Sequence, residues 1–242
     1  MPGYETKQER IAVAGVDDLF IRSLLDRQQF SDPHGDAADI GISSATWPLF
    51  GLLWPSGAEL AALLAMRPVR GAERILEMGC GLGLASLVGH RRGADITASD
   101  CHPLTGAFLQ ANLLLNGLAP MKYRYGHWRT PLPPLPREGE AAQLAVDGPY
   151  DLLIGSDLLY DRDAADDLAG FIELHAGDAA EVWIVDPDRG NRAAFNRHMA
   201  GQGFTLTEQR LDRAETAAVA GYKGRLLSYV RHLPPQARTT LA

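Results

Sequence analysis

The chain has 242 residues, 46% of them hydrophobic and 22% charged, which suits one globular domain with or without an elaborated N-terminus. This composition excludes a mostly disordered chain, a fibre and a coiled coil, and a chain this long buries a substantial core without disulfide or metal staples. With 23 basic and 30 acidic residues the net charge is -7, which argues against broad binding to nucleic acid or to an anionic membrane.

Two cysteines, Cys80 and Cys101, cannot build a disulfide framework or a cysteine-rich zinc site. The histidines, His34, His90, His102, His127, His175, His198 and His232, show no metal-ligand spacing, so no metal is expected. No apolar run is expected to reach the roughly 18 residues of a membrane span. Met1 to Arg10 is polar and lacks the apolar centre of a signal peptide. A soluble, cytoplasmic protein with neither a nucleic-acid nor a membrane partner is expected.

Residues 11 to 30 carry two short apolar stretches, Ile11–Val13 and Leu19–Leu25, compatible with a hairpin or a helix. Ser31 to Asp36 is a loop by its turn residues. Ser56 and Glu59 have capping-box spacing and predict a helix with Leu60, Leu63 and Leu64 on one face. From Glu73 the pattern becomes regular. Arg74–Met78 predicts a strand, Gly83–Arg92 a helix with Leu84, Leu87 and Val88 inward, and Ala94–Ser99 a second strand. Pro103 suits the first turn of a helix carrying Leu104, Phe108, Ala111 and Leu115, which stops at Asn116-Gly117. Lys122–Tyr125 predicts a third strand. Thr130 to Pro149, with Pro131, Pro133, Pro134 and Pro136, is a surface excursion. A strand over Asp151–Gly155 follows, then a helix marked by Ala164, Leu168, Phe171, Ile172 and His175. Glu181–Val185 is a strand and Arg189–Met199 a helix. Two late strands lie near Phe204–Leu211 and Arg225–Arg231.

Strands alternating with helices imply right-handed crossovers and a mainly parallel, doubly wound α/β sheet with helices on both faces. The last two strands, with no full helix between them, imply an antiparallel pairing at one edge. In such sheets ligands bind beyond the carboxyl ends of the strands. Residues 1 to 45 are expected to be an N-terminal extension packing on or covering the site, and 46 to 242 the catalytic domain.

Glu77-Met78-Gly79-Cys80-Gly81-Leu82-Gly83 is the most informative stretch. A strand runs into three alternate glycines and then a helix, and Asp100 ends the next strand. The dinucleotide fingerprint spaces its third glycine one residue later than Gly83 does. Glu77 would repel a pyrophosphate and attract a cationic amino-acid portion. S-adenosylmethionine carries such a portion, and Asp100 can accept from its ribose hydroxyls. Asp100 also reads as a carboxylate at the start of a helix.

This stretch resembles the class I, seven-β-strand S-adenosylmethionine-dependent methyltransferases over about Trp47 to Arg231, a Rossmann-like fold. Ser156-Asp157-Leu158-Leu159-Tyr160 resembles the D-x-x-Y motif of a subgroup rich in protein-lysine methyltransferases. Trp54 and Trp128 resemble two tryptophans that this subgroup places around the cofactor. Gly155 to Leu168 and Asp186-Pro187-Asp188-Arg189 are similar to segments of the electron-transfer-flavoprotein β-subunit lysine methyltransferases and their bacterial relatives. There the latter reads D-P-G-R, so Asp188 is a departure. The resemblance implies that Trp54, Glu77, Gly79, Cys80, Gly81, Gly83, Asp100, Trp128 and Ser156 form the site for S-adenosylmethionine and its product S-adenosylhomocysteine. It implies that Asp157 and Tyr160 face the acceptor, a lysine amine of a protein such as an electron-transfer flavoprotein subunit.

Each residue has a plainer reading. Trp54 and Tyr160 could be packed core aromatics, and Asp157 could cap the next helix, a role Asp161 or Asp163 could fill. Asp186 and Arg189 could pair near a helix start. The same cofactor half would serve a methyltransferase of small amines or heterocycles, for which Ser31 to Trp47 or the proline-rich excursion would form a lid. A nicotinamide-dependent oxidoreductase and a non-catalytic binding protein are the more distant readings.

Overall fold

Near the N-terminus, β1 (Thr6–Ile11) and β2 (Leu19–Leu24) form an antiparallel hairpin, which settles the choice between hairpin and helix. The computed structural model describes residues 3–130, 132–136, 142–160, 165–215 and 221–232, so Pro131, Asp161, Asp163 and Ala164 lie outside the described residues. Leu19 and Ile21 alternate inward along β2, while Phe20 points out, as a strand with one buried face requires. A single turn, α1 (Asp36–Asp39), and a 3-10 turn, Trp47–Gly51, lead to α2 (Pro55–Met66). The capping box is not formed: Trp54 is the N-cap, Pro55 opens the helix, and Ser56 lies inside it.

The main sheet follows. Its strands are β3 (Arg74–Met78), β4 (Asp95–Asp100), β5 (Lys122–Tyr125), β6 (Tyr150–Ser156), β7 (Ala176–Asp186), β8 (Thr205–Arg210) and β9 (Arg225–Arg231). The spatial order is β5-β4-β3-β6-β7-β9-β8. From β5 to β7 all pairs are parallel, and β9 runs antiparallel to both neighbours. The doubly wound fold and the antiparallel pairing at one side are as expected. In detail β9 is threaded between β7 and β8, so the outermost strand is β8. The crossover from β7 leaves a one-strand gap that the returning hairpin fills.

Helices α3 (Leu84–Arg91), α4 (Thr105–Leu115), α5 (Ala165–His175) and α6 (Arg192–Gly201) make the crossovers. Alternation along β3 sends Ile75 into one core cluster and Leu76 and Met78 into another. The first holds residues of α2, α3, α4 and the N-terminal hairpin, and the second residues of α5 and α6. The hairpin therefore shares a core with the sheet.

α4 departs from expectation in two ways. It begins at Thr105, two residues after Pro103, because the Asp100 carboxylate takes the His102 amide and the His102 ring takes the Leu104 amide. Its buried face is Thr105, Phe108, Leu109, Asn112 and Leu113, whereas Leu115 is partly exposed. Asn112 is inside because it holds the hairpin. Its Oδ1 accepts from the Arg22 amide at 2.7 Å, and Asn116 Oδ1 accepts from the Phe20 amide at 2.8 Å. Asn116 also donates to the Phe20 carbonyl at 2.7 Å. Four helical residues rise about 6 Å, nearly the span of two strand residues. Two side-chain amides thus take the place of a neighbouring strand at the edge of β2.

The apolar run Trp47–Met66 has a mean hydropathy of 1.5 and meets the length and composition of a membrane span, contrary to the expectation that none would. Here it is broken between the 3-10 turn and α2, and Leu60, Ala61 and Leu64 are buried in the core.

Candidate active site

The chain winds β3-β4-β5 to one side and then places β6 on the other flank of β3. The switch point is therefore between β3 and β6, and their carboxyl ends define the site.

After β3, Gly79, Gly81 and Gly83 all have left-handed φ values, 56°, 51° and 71°. Space is also closed to a side chain. A Cβ would stand 2.8 Å from Leu158 at Gly79, 2.8 Å from the Phe50 carbonyl oxygen at Gly81, and 2.7 Å from Leu109 at Gly83. Only glycine meets both demands. The Cys80 amide donates to the Ser99 carbonyl at 2.9 Å, and Cys80 is buried, as a small residue within a packed loop.

The two carboxylates flanking this loop are engaged by the protein. Glu77 Oε2 accepts from the Ser86 amide at 2.8 Å and from the Ser86 hydroxyl, pinning the first turn of α3. Burial pushes Glu77 up to about 7, against the pull of the Ser86 bonds. Asp100 accepts from the Gly81 amide at 3.0 Å and from the His102 amide at 2.8 Å. It thus serves the turn before α4 and the glycine loop at once. Burial raises its pKa as well, with those bonds opposing.

An aromatic wall stands beside Asp100. His102 stacks on Phe50 at 3.7 Å between ring centres, and Trp47 and Phe108 meet Phe50 edge-on. Tyr4 and Phe30 pack on Trp47. Burial lowers His102 to about 3, so the ring is neutral. Its Nδ1 accepts from Leu104, so Nε2 carries the proton, and Nε2 is buried without a partner among the described residues. Nothing in the sequence pattern singled out this wall.

Trp128 is partly buried, and its Cζ2 lies 3.8 Å from where a Gly79 Cβ would be. Trp54 is partly buried at the head of α2 and donates to the Leu49 carbonyl at 2.9 Å, so it is not a core aromatic beneath the sheet. Arg27 and Arg189 lie 5.9 and 5.8 Å from its ring centre. Ser156 ends β6 with its hydroxyl 3.6 Å from a Cβ placed on Gly57, so Trp54 and Ser156 both lie at the start of α2.

Asp157 follows at φ 59°, a left-handed conformation rare for a residue with a side chain. Its amide continues the sheet to Val185 at 3.0 Å. Oδ1 pairs with Arg189 at 2.8 Å, while Oδ2 is buried and unpartnered among the described residues. Burial raises its pKa, and Ser56 and Arg189 pull it down. Ser56, read from the sequence as a cap, instead shares a hydrogen bond with the Tyr222 hydroxyl at 3.0 Å. The Arg189 guanidinium pairs with Asp157, while the Asp186 carboxylate takes the backbone amides of Asp188, at 2.9 Å, and of Arg189. Tyr160 is 52% exposed, which removes the buried-tyrosine reading. Leu158 connects the two halves, since it lies against both Gly79 and Gly155. No group of three or more candidate metal ligands occurs among the described residues.

Residues 49–194 match the lysine methyltransferase family. The electron transfer flavoprotein beta subunit lysine methyltransferase of Xenopus laevis is 30% identical over 155 residues, 62% of this chain and 56% of that protein. Its Mus musculus namesake is 30% identical over 182 residues, 71% of this chain and 66% of that protein. The chain therefore spans less than two thirds of the length of these relatives. Magnesium protoporphyrin IX methyltransferase from Synechocystis PCC 6803, solved with bound SAM, shares the fold at a TM-score of 0.52, with 17% identity over 73% of this chain and 78% of that one. With more than half of its length inside the family pattern, this chain belongs to the lysine methyltransferase family.

Proposed function

We propose that this protein is an S-adenosylmethionine-dependent N-methyltransferase whose acceptor is a lysine amine of a protein. The observation that carries the reading is the buried, unpartnered Oδ2 of Asp157, set one strand away from a glycine cradle at the switch point. The residues fit the cofactor. The cradle leaves no room for a Cβ, and a buried donor, His102 Nε2, stands beside Asp100. The main chain at Gly79, Cys80, Gly81 and Ser156 would hold the amino-acid portion, and Asp100 the ribose hydroxyls. Trp54 and Trp128 would flank the ligand. Glu77 and Gly83 act through the loop they shape. The N-terminal extension, through Tyr4 and Phe30 packed on Trp47, would cover the Asp100 end.

S-adenosylmethionine, when bound, supplies a methyl group on a sulfonium. The chain must supply alignment, which lowers such a barrier by several kcal/mol, and a neutral amine. Free lysine titrates near 10.4, so it is almost wholly protonated at neutral pH. Asp157 Oδ2 accepts an N–H of the amine and directs its lone pair. Tyr160 stands on the rim. Its exposure supports a rim open to a folded protein. Trp47 packs on His102, at the Asp100 end of the site. An electron-transfer flavoprotein subunit is the first substrate to try, because the relatives are named for it.

The test is methyl-label transfer from S-adenosylmethionine into a host cytosolic lysate, split into protein and small-molecule fractions, with Asp157→Ala as control. A discrete labelled protein, lost in the variant, is expected. Label confined to small molecules would instead assign the small-amine reading.

A further inference from the structure

The two oxygens of Asp157 have different surroundings. Oδ1 is held by Arg189 Nη2 at 2.8 Å, and Oδ2 is buried without a partner among the described residues. The Asp157 side chain is 10% exposed, whereas that of Arg189 is 35% exposed. A lone carboxylate is a poor neighbour for an amine that must attack as a neutral nucleophile. It stabilises the ammonium and raises the amine's pKa. A guanidinium on the far oxygen offsets much of that charge and leaves the near oxygen as a hydrogen-bond acceptor. Arginine suits this task because it does not lose its own proton.

We propose that Arg189 is a positioning residue for the acceptor amine: it ties Oδ1, presents Oδ2 to the amine, and offsets the carboxylate charge so that the amine is held in its neutral form. This rests on Asp157 receiving the amine. Among the described residues no other group around Asp157 supplies a compensating charge. Ser56, from α2, faces the Asp157 carboxylate with its hydroxyl and amide and shares a hydrogen bond with Tyr222, but it is uncharged. Tyr222, from the segment before β9, is pushed up to about 12 by burial and stays neutral. Asp186, at the end of β7, is a carboxylate engaged by the Asp188 amide. Glu59, one turn along α2, pairs with Arg213. Arg189 is the ion-pair partner of Asp157 among the described residues.

The test compares wild type, Arg189→Gln and Arg189→Lys by carbon-13 titration of the Asp157 carboxyl. It adds the pH profile of kcat/KM on the protein labelled in the lysate experiment. In Arg189→Gln the carboxyl should titrate about one unit higher or more. The acid limb of kcat/KM should move the same way, with activity about tenfold down at neutral pH and recovering in alkali. Arg189→Lys should restore most of both. A loss uniform across pH with an unchanged carboxyl titration would show a merely structural contact and overturn the proposal. Wild-type behaviour of Arg189→Gln would overturn it as well. Asp157→Asn separates the two readings. If that variant turns over like wild type, the role of Asp157 falls. If it is inactive while Arg189→Gln titrates normally, only the role of Arg189 falls.

Discussion

Asp157 and Asp188 are the two non-glycine residues with positive φ among the described residues, at 59° and 62°, and each follows a parallel strand of the sheet. Their surroundings are opposite. Asp188 is ringed by cations: Arg225 at 2.6 Å, Arg210 at 3.1 Å and Arg192 at 3.3 Å. Hydrogen bonding from Arg225 holds its carboxyl below the usual carboxylate range. Asp157 has one arginine, an open oxygen, and a pKa raised by burial. Backbone strain therefore does not mark the site by itself. A buried carboxylate oxygen without a partner does, and among the described residues Asp157 alone has one. The same pair accounts for the departure from D-P-G-R. The third position needs a left-handed backbone, which glycine adopts freely and aspartate tolerates, and Asp188 uses its side chain to gather β8 and β9.

The largest expected effect separates these two aspartates. Asp157→Asn should lower turnover by about 100-fold or more, with cofactor affinity by calorimetry nearly unchanged. Asp188→Asn should leave turnover within about threefold and cost about 1 kcal/mol of stability or less, since its partners are partly exposed. Equal losses in both variants would break the comparison. Next comes the glycine cradle. Gly81→Ala places a Cβ 2.8 Å from the Phe50 carbonyl at φ 51° and should weaken cofactor binding by about tenfold or more. Turnover at saturating cofactor should fall far less than in Asp157→Asn.

Glu77 offers a test of stability, through pH. Its folded pKa, about 7, lies above the ordinary 4.5, because burial disfavours the charge. Between those values the folded state binds more protons than the unfolded state, so stability falls as pH rises across the window. Glu77→Gln should abolish that slope. Relative to wild type it should gain roughly 3 kcal/mol across the window, read from denaturant melts at both ends. The smallest effect is Asn116→Ala. It should cost about 0.5–1 kcal/mol, because water can replace its bond at the exposed Phe20. Faster hydrogen exchange at the Phe20 amide is the measurement.

The cofactor half was legible in the sequence because its demands are backbone demands. Three alternate positions must be left-handed and lack a Cβ, and glycine is the residue type that allows this. The strand and helix periods around them follow from alternation and from the 3.6-residue turn, so β3 to β7 fell near their expected places. The capping box, the first turn of α4 and its buried face did not. There the simple pattern lost to particular contacts: Pro55 opens the helix one residue before Ser56, the His102 ring takes the Leu104 amide, and a hairpin 90 residues upstream in the chain needs Asn112 inside. The acceptor half was legible only as a motif. Asp157 could be named from Asp-x-x-Tyr, but not the state of its oxygens. Ser56, Arg189 and Tyr222 come from α2, the loop after β7 and the approach to β9, and no spacing along the chain relates them. A chain's order sets which backbones can turn; only packing decides which buried oxygen is left without a partner, and that is where the chemistry is placed.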